Sequence, residues 1–223
     1  MKRKIITTAD GSKTIQIEEW NEQYHSVHGA INEANHVYIK HGLLFCFEES
    51  DDNNISILEM GFGTGLNTFL TLLEAEKRKL NINYIGIEAY PVLKEEIEVL
   101  NYVELISPKH KNQFQRLHDS TWDKTIQISE FFKLKKEQKL FNDTNYIKAF
   151  DVIYFDAFGP RVQPELWTEE IFKLMYTALK PNGILVTYSV KGTVKRALRS
   201  VGFELKRLEG PPNKRHMLRA IKR

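Results

Sequence analysis

Three glycines and four acids carry the chemistry that this sequence offers. Gly61, Gly63 and Gly65 alternate within Glu59-Met60-Gly61-Phe62-Gly63-Thr64-Gly65-Leu66-Asn67. Glycines at that density let a ligand approach bare backbone, and a helix starting at Leu66 would aim its N-terminus at the same ligand. An ordinary strand-to-helix turn needs only one. Glu59 stands directly before the loop, and Glu88 ends a second apolar run. Asp119 with Ser120 follows a weaker third, and Asp156 follows Phe150-Asp151-Val152-Ile153-Tyr154-Phe155. Each acid alone reads as a helix cap or a solvated loop residue. Four at predicted strand ends read as one crevice, because open α/β sheets bind ligands beyond the carboxyl ends of their strands.

Spacing separates the ligands. A dinucleotide fingerprint, G-x-G-x-x-G, would need glycine where Leu66 stands, and the Gly-Lys-Ser/Thr of a P-loop is absent. An acid before G-x-G-x-G resembles the first motif of class I S-adenosylmethionine (AdoMet) methyltransferases. AdoMet has no phosphate but carries an α-amino group, a sulfonium and a carboxylate, so an acid beside the loop suits it. Asp156-Ala157-Phe158-Gly159-Pro160 should line the crevice next to that cofactor. Methyl transfer requires a nucleophile in line with the methyl and a free lone pair. An alkyl amine, with a pKa of about 10, is protonated at neutral pH. A carboxylate there can attract the ammonium, orient it and accept a proton. Phe158 or Trp167 could hold a planar base or a cation.

Longer segments are similar to one family. Glu59–Asn67, Asp156–Pro160 with Pro164-Glu165-Leu166-Trp167, Thr187-Tyr188-Ser189-Val190-Lys191-Gly192 and Lys214-Arg215-His216-Met217-Leu218 resemble the MnmC-type methyltransferase domain. Tyr24-His25-Ser26 through His28-Gly29-Ala30, with Glu33 and Val37-Tyr38, resemble the segment before it, so the likeness covers nearly the whole chain. It implies methylation of the aminomethyl arm of the tRNA wobble uridine, giving 5-methylaminomethyl-2-thiouridine. It also implies a set of residue roles. Glu59, Gly61, Gly63, Gly65 and Asn67 would hold the methionine part of AdoMet, Glu88 the ribose, and Asp119 with Ser120 the adenine. Tyr24, Phe62 and Ala89 would complete the cofactor set. Asp156 would be the catalytic carboxylate facing the amine and touching the cofactor side, with Phe158, Pro160 and Trp167 shaping the pocket. Lys191, Lys195, Arg196, Lys214 and Arg215 would contact tRNA phosphates. Two-domain members of the family add a flavin-dependent oxidase. The sequence stops at Arg223, so the expectation is no fused oxidase, acceptance of the aminomethyl form alone, and a functional link to enzymes that install the aminomethyl group. Two other readings stand beside this one. A spermidine-synthase-like aminopropyltransferase should carry a second acid shortly after Asp156, where Gly159, Pro160 and Arg161 stand. A non-catalytic RNA-binding module on the same fold would leave the acids unused.

The elements that must position these residues follow from periodicity. Strands alternate with helices from Ile55 onward, implying a Rossmann-like α/β fold with a mostly parallel, seven-stranded sheet. The predicted strands are Ile55–Leu58, Asn83–Glu88, Phe114–His118, Phe150–Phe155 and Ile184–Tyr188, with Phe203–Leu208 and His216–Ile221 as an antiparallel C-terminal hairpin. Residues 125–148 resist assignment. Helices are expected from Leu66, from Pro91 to about Leu100, from Thr168 to Leu179 with Pro181-Asn182-Gly183 as a stop, and over Lys191–Val201. A small N-terminal extension, residues 1–50, combines a hairpin around Ala9-Asp10-Gly11-Ser12 with a helix Ile31–His41 capped by Gly42, and contributes to the active site. A polar linker, Ser50–Asn54, leads into the methyltransferase domain, 51–223.

Composition sets the remaining bounds. At 223 residues, 42% hydrophobic and 27% charged, the chain holds one good core. No apolar run could span a bilayer, and the basic N-terminus lacks the apolar stretch of a signal peptide. The lone Cys46, between Phe45 and Phe47, reads as an inert thiol in a reducing compartment, so a cytoplasmic, membrane-free protein is expected. His25 and His28 lack partners for a metal site, and none is expected. Net charge is +3, yet eleven Lys or Arg face two acids from Lys191 onward, which points to a polyanionic partner.

Overall fold

Ile55, Ile57, Leu58 and Met60 are all buried, and the strand that carries them lies inside an eight-stranded sheet. The computed structural model describes residues 2–50 and 52–223; Met1 of the basic N-terminus and Asp51 of the predicted linker lie outside the described residues. In chain order the strands are β1 (Arg3–Thr7), β2 (Lys13–Ile17), β3 (Glu22–Gln23), β4 (Asn54–Met60), β5 (Asn81–Ile87), β6 (Thr125–Ser129), β7 (Phe132–Glu137), β8 (Phe150–Phe155), β9 (Leu179–Thr187), β10 (Glu204–Glu209) and β11 (His216–Ile221). The large sheet runs β10-β11-β9-β8-β4-β5-β7-β6. β4 pairs in parallel with both β5 and β8, and β5–β7 and β8–β9 are parallel too. The β10–β11–β9 and β6–β7 pairings are antiparallel. From β4 the chain builds first toward one edge and then toward the other. A crevice must therefore open between the carboxyl ends of β4 and its neighbours.

Helices cover both faces, which is why the central strands are apolar on both sides. Helix Leu66–Arg78 buries Phe69, Leu70 and Leu72 on one face, and helix Glu169–Ala178 buries Ile171, Phe172 and Met175 on the other. Thr168 caps the second by accepting from the Ile171 amide, as its sequence position predicts.

The N-terminal hairpin forms where expected, but residues 30–48 make one continuous helix with π-type bonding over Asn35–Leu44. Gly42 is not its C-cap. It lies inside the helix, where a Cβ would stand 2.9 Å from the Tyr154 ring and 3.1 Å from Val186, so glycine there sets how closely the helix meets the sheet. Val37, Tyr38 and Leu43 share a core with Ile57 and Phe69, and the packing does not divide at residue 50. Only β1, β2 and β3 form a separate small sheet. It is tied to the segment after β5 by Arg3–Glu96 at 2.8 Å and by the Lys13 amide to Asn101 Oδ1 at 2.8 Å.

Other expectations give way to the packing. Phe114–His118 is not a strand: it belongs to helix Lys111–Asp119, in which Phe114 and Leu117, three residues apart, are the buried pair. The unassigned stretch supplies β6 and β7, giving eight strands where seven were expected. The third parallel strand is thus β7, ending at Glu137 rather than before Asp119. The helix after Pro91 covers only Lys94–Glu98, and Pro181-Asn182-Gly183 interrupts β9 after the preceding helix has ended at Ala178.

Candidate active site

Met60 lies opposite Ile87 of β5 and Phe155 of β8, so Gly61, Glu88 and Asp156 leave the sheet at one level. The Gly61 and Phe62 amides both donate to Ile87 O at 3.0 Å, and the Asp156 amide to Met60 O at 3.0 Å. A cleft of about 340 Å³ opens above these ends. Gly61 (φ +99°) has no room for a side chain, because a Cβ would stand 2.7 Å from the Asp156 carbonyl oxygen. At Gly63 (φ +49°) it would meet the Tyr24 ring at 3.0 Å. Glu88 secures the loop: its Oε2 accepts from the Gly63 amide at 3.0 Å and its Oε1 from the Tyr90 amide at 2.9 Å. Each oxygen keeps a lone pair for a ligand hydroxyl.

Asn67, in the first turn of helix Leu66–Arg78, joins two of the acids. Its Nδ2 donates to Glu59 Oε1 at 2.9 Å and to Asp156 Oδ2 at 2.8 Å. The Tyr38 hydroxyl donates to Asp156 Oδ1 at 2.7 Å. Burial pushes the Asp156 carboxyl up to about 6, although both hydrogen bonds oppose the shift. Glu59 is fully buried, also accepts from Thr68 Oγ1 at 2.9 Å, and is pushed up to about 8 by burial. Burial thus makes both acids harder to ionise than free carboxyls, Glu59 more so than Asp156.

The structure brings most of the predicted cofactor residues together. Tyr24, Gly61, Gly63, Glu88, Ala89 and Asp156 line the cleft, as does Phe158. Glu59 and Asn67 lie beneath it, so Glu59 reaches the cleft only through the Asn67 amide. Gly65 (φ +72°) begins the helix, with His118 where a Cβ would go. Phe62 is not in the cleft: its ring packs on Gly86, where a Cβ would stand 2.6 Å away, and it faces a second cavity. Asp119 and Ser120 are not there either. Asp119 ends a helix and lines that second cavity, and Ser120 Oγ donates back to Leu117 O at 2.9 Å. A helix in place of the expected strand moved them.

On the substrate side, Phe158 meets Trp20 and Tyr24 edge-on, with centroids 5.6 and 4.9 Å apart. Trp167 does not line the cleft; it is buried, and its Nε1 donates to Phe158 O at 2.8 Å, propping the loop. Pro160 lies in that loop outside the cleft lining. Leu218 pairs with Thr187, so the segments after β9 and before β11 both stand at the cleft edge of the sheet. Lys191, Arg196 and Arg215 are exposed there and Lys195 is half-buried. Lys214 is not free: it pairs with Glu33 and sits 4.9 Å from the Tyr188 ring centroid.

Several cleft residues escaped sequence reasoning. Arg3 and Trp20 come from the small sheet, and Leu140, Phe141 and Asn142 follow β7. Recognising β7 would have found the last three, but Lys133, Lys135 and Lys136 mask its apolar alternation. Tyr38 could have been flagged as a buried hydroxyl needing a partner. His25 is half-buried with its Nδ1 3.0 Å from Thr14 Oγ1, and desolvation lowers it to about 4, which makes it a neutral structural histidine. Among the described residues no group of three His, Cys, Asp or Glu is placed to hold a metal.

The family model described as "S-adenosyl-L-methionine-dependent methyltransferase" matches residues 101–223. Curated relatives include the tRNA 5-methylaminomethyl-2-thiouridine biosynthesis bifunctional protein MnmC of Delftia acidovorans, 27% identical over 91% of this chain and 32% of that protein. The protein of the same name from Actinobacillus pleuropneumoniae is 25% identical over 90% of this chain and 32% of its own length. The chain spans about a third of these relatives. Among solved structures, MNMC2 from Aquifex aeolicus superposes with a TM-score of 0.77 at 26% identity, covering 98% of this chain and 70% of that one. Spermidine synthase from Thermotoga maritima, with a TM-score of 0.58 at 16% identity, covers 99% of this chain and 68% of that one, and shares the fold alone.

Proposed function

This chain belongs to the S-adenosyl-L-methionine-dependent methyltransferase family, and from that premise we propose that it methylates the amino group of 5-aminomethyl-2-thiouridine at the wobble position of tRNA. The observation that carries the reading is Asp156, a carboxylate at the switch point, held by Tyr38 and Asn67 and open to the cleft. The names of the relatives supply the substrate.

The cleft residues fit AdoMet. Bare backbone at Gly61 and Gly63 admits its methionine part, and the free lone pairs of Glu88 suit ribose hydroxyls. Bound there, AdoMet supplies a methyl group on a sulfonium that leaves as a neutral thioether. Asp156 draws the substrate ammonium toward the cleft and accepts its proton. With the cofactor in place, the freed nitrogen lone pair would be positioned to take the methyl group, the sulfur keeping the electron pair of the broken carbon–sulfur bond. A carboxyl raised to about 6 is a better base toward an ammonium than an ordinary aspartate, while still ionised at neutral pH. Phe158, backed by Trp20, Tyr24 and Trp167, offers an aromatic wall for the uracil ring or the cation. Residues 1–50 contribute Tyr24 and Tyr38 to the active site.

Lys191, Lys195, Arg196 and Arg215, at the rim, would neutralise tRNA phosphates without reading sequence. No helix among the described residues is long and apolar enough to cross a membrane, and the reading places the protein with tRNA in the cytoplasm.

The test is incubation with methyl-labelled AdoMet and tRNA carrying aminomethyl wobble uridine, followed by nucleoside analysis. Label in 5-methylaminomethyl-2-thiouridine is the expected result. No transfer to that tRNA, or alkylation of putrescine by the decarboxylated cofactor instead, would overturn it.

A further inference from the structure

From Lys191 to Arg223 eleven cations face two acids, and the structure sorts them. Lys206 and Arg223 share Glu204, each at 2.9 Å, and Lys214 pairs with Glu33. Lys222 Nζ is held by the carbonyls of Tyr176 and Leu179, at 2.6 and 2.8 Å, and Arg219 packs over the Phe45 ring. Six remain: Lys191, Lys195, Arg196, Arg199, Arg207 and Arg215. Among the described residues none of these has an acid within ion-pair distance.

Helix Gly192–Ser200 and its N-cap Lys191 carry four of the six, and the run from Lys191 to Phe203 contains no acid. β9 and β10 both run antiparallel to β11, so this helix leads from the cleft end of the sheet toward the opposite end. Lys191 stands at the rim. Arg196 folds back toward it, with Nη1 3.3 Å from where a Cβ on Gly192 would be. At about 1.5 Å per residue, Arg199 lies about 12 Å further from the rim than Lys191. Arg207 sits on the outermost strand opposite Leu218, which shares a core with Val194 and Leu198, so it projects on the helix's side of the sheet. The acids nearest in sequence and packing are Glu209 on the same strand and Glu169 and Glu170 at the start of the neighbouring helix, and they pair with none of the six.

This strip has cations and hydroxyls but no apolar anchor. Along the helix and its N-cap, the exposed residues are Lys191, Gly192, Thr193, Arg196, Arg199 and Ser200. A membrane-bound helix or a protein interface draws its affinity from buried apolar and aromatic side chains. A nucleic-acid backbone needs only cations and hydrogen-bond donors. The strip begins where the base would enter and continues past the rim, the course of a paired stem rather than of its loop.

We propose that helix Gly192–Ser200 and β10 hold the phosphate backbone of the base-paired RNA stem next to the modified loop, with Arg199 and Arg207 as contacts beyond the rim. This rests on the tRNA reading above and adds a contact to duplex form, which proteins recognise through backbone and shape.

The test compares two RNAs by filter binding across a salt series: an anticodon stem–loop, and an unpaired RNA of equal length with the same loop sequence. Arg199→Gln combined with Arg207→Gln should weaken the stem–loop about tenfold and reduce its salt slope by about two. The unpaired RNA should change less than about twofold, and so should AdoMet affinity and kcat at saturating tRNA. Unchanged stem–loop affinity, an equal loss on both RNAs, or an acidic peptide binding native protein as tightly as the stem–loop would overturn the contact. Methyl transfer by the native chain is scored separately. With transfer present and stem–loop affinity unchanged, only the stem contact falls; with transfer absent, the methyl-transfer reading falls whatever the affinities.

Discussion

The Tyr38 hydroxyl donates a 2.7 Å hydrogen bond to Asp156 Oδ1, joining helix 30–48 to the loop after β8. A hydrogen bond to a charged acceptor contributes about 1.5–3 kcal/mol. Its loss favours the neutral acid. Tyr38→Phe should therefore raise the acid limb of the kcat/KM–pH profile by about one pH unit or more, cutting activity at neutral pH and recovering it at higher pH. A pH–rate series with tRNA checks this, and an unshifted limb would separate Tyr38 from the proton balance of the site.

Asp156→Ala removes the proposed acceptor of the ammonium proton. A loss in kcat of about 10²–10⁴-fold is expected, typical of a positioned base. AdoMet affinity, measured by calorimetry, should stay within a few-fold, because the glycine loop and Glu88 are untouched. An active variant would remove the catalytic assignment.

Gly61→Ala tests the backbone approach. Its φ of +99° strains any other residue, and the added Cβ meets the Asp156 carbonyl at 2.7 Å. Denaturant unfolding should show a loss of about 1–3 kcal/mol, with AdoMet affinity falling at the same time.

Glu59 makes stability depend on pH. Its folded-state value of about 8 lies above the unfolded value of 4.5, so the folded chain holds a proton that the unfolded chain releases. The stability associated with this group is fully present below pH 4.5 and declines up to about pH 8. The slope is at most about 1.4 kcal/mol per pH unit. Glu59→Gln cannot titrate, so the difference between wild type and variant should narrow or reverse as pH rises. Urea unfolding at pH 5–8 reads it directly.

Arg215 and Lys214 should differ although they are adjacent. Arg215 is exposed, so Arg215→Ala should weaken tRNA binding and reduce the salt slope by about one. Lys214 pairs with Glu33, so Lys214→Ala should change the slope less while leaving a largely buried acid uncompensated near Asp156. Filter binding across a salt series distinguishes them.

The glycine loop, β4, β8 and their following acids were legible in the sequence because local rules govern them. Continuous apolar runs mark buried parallel strands, and glycine spacing marks a backbone that must approach a ligand. Asp119 was misplaced because Phe114 and Leu117 serve a short amphipathic helix as well as a weak strand, and β7 was hidden because Lys136 is polar yet buried. Gly42 has the composition of a cap, and only its contact with Tyr154 gives it a packing role.

The sequence by itself determined the strands β4, β5, β8 and β9, the bare-backbone loop and the acids at the ends of three of them, Glu59, Glu88 and Asp156. These depend on residue type and short-range spacing. Tertiary structure alone decided that Asp156 leans on Tyr38 from 118 residues away, that Glu59 is sealed beneath the cleft, and that Lys136 is buried over the Trp122 ring with its ammonium on the His118 carbonyl. Burial and partnership across the sheet fix these, and no local pattern encodes which distant side chain will fill a given space.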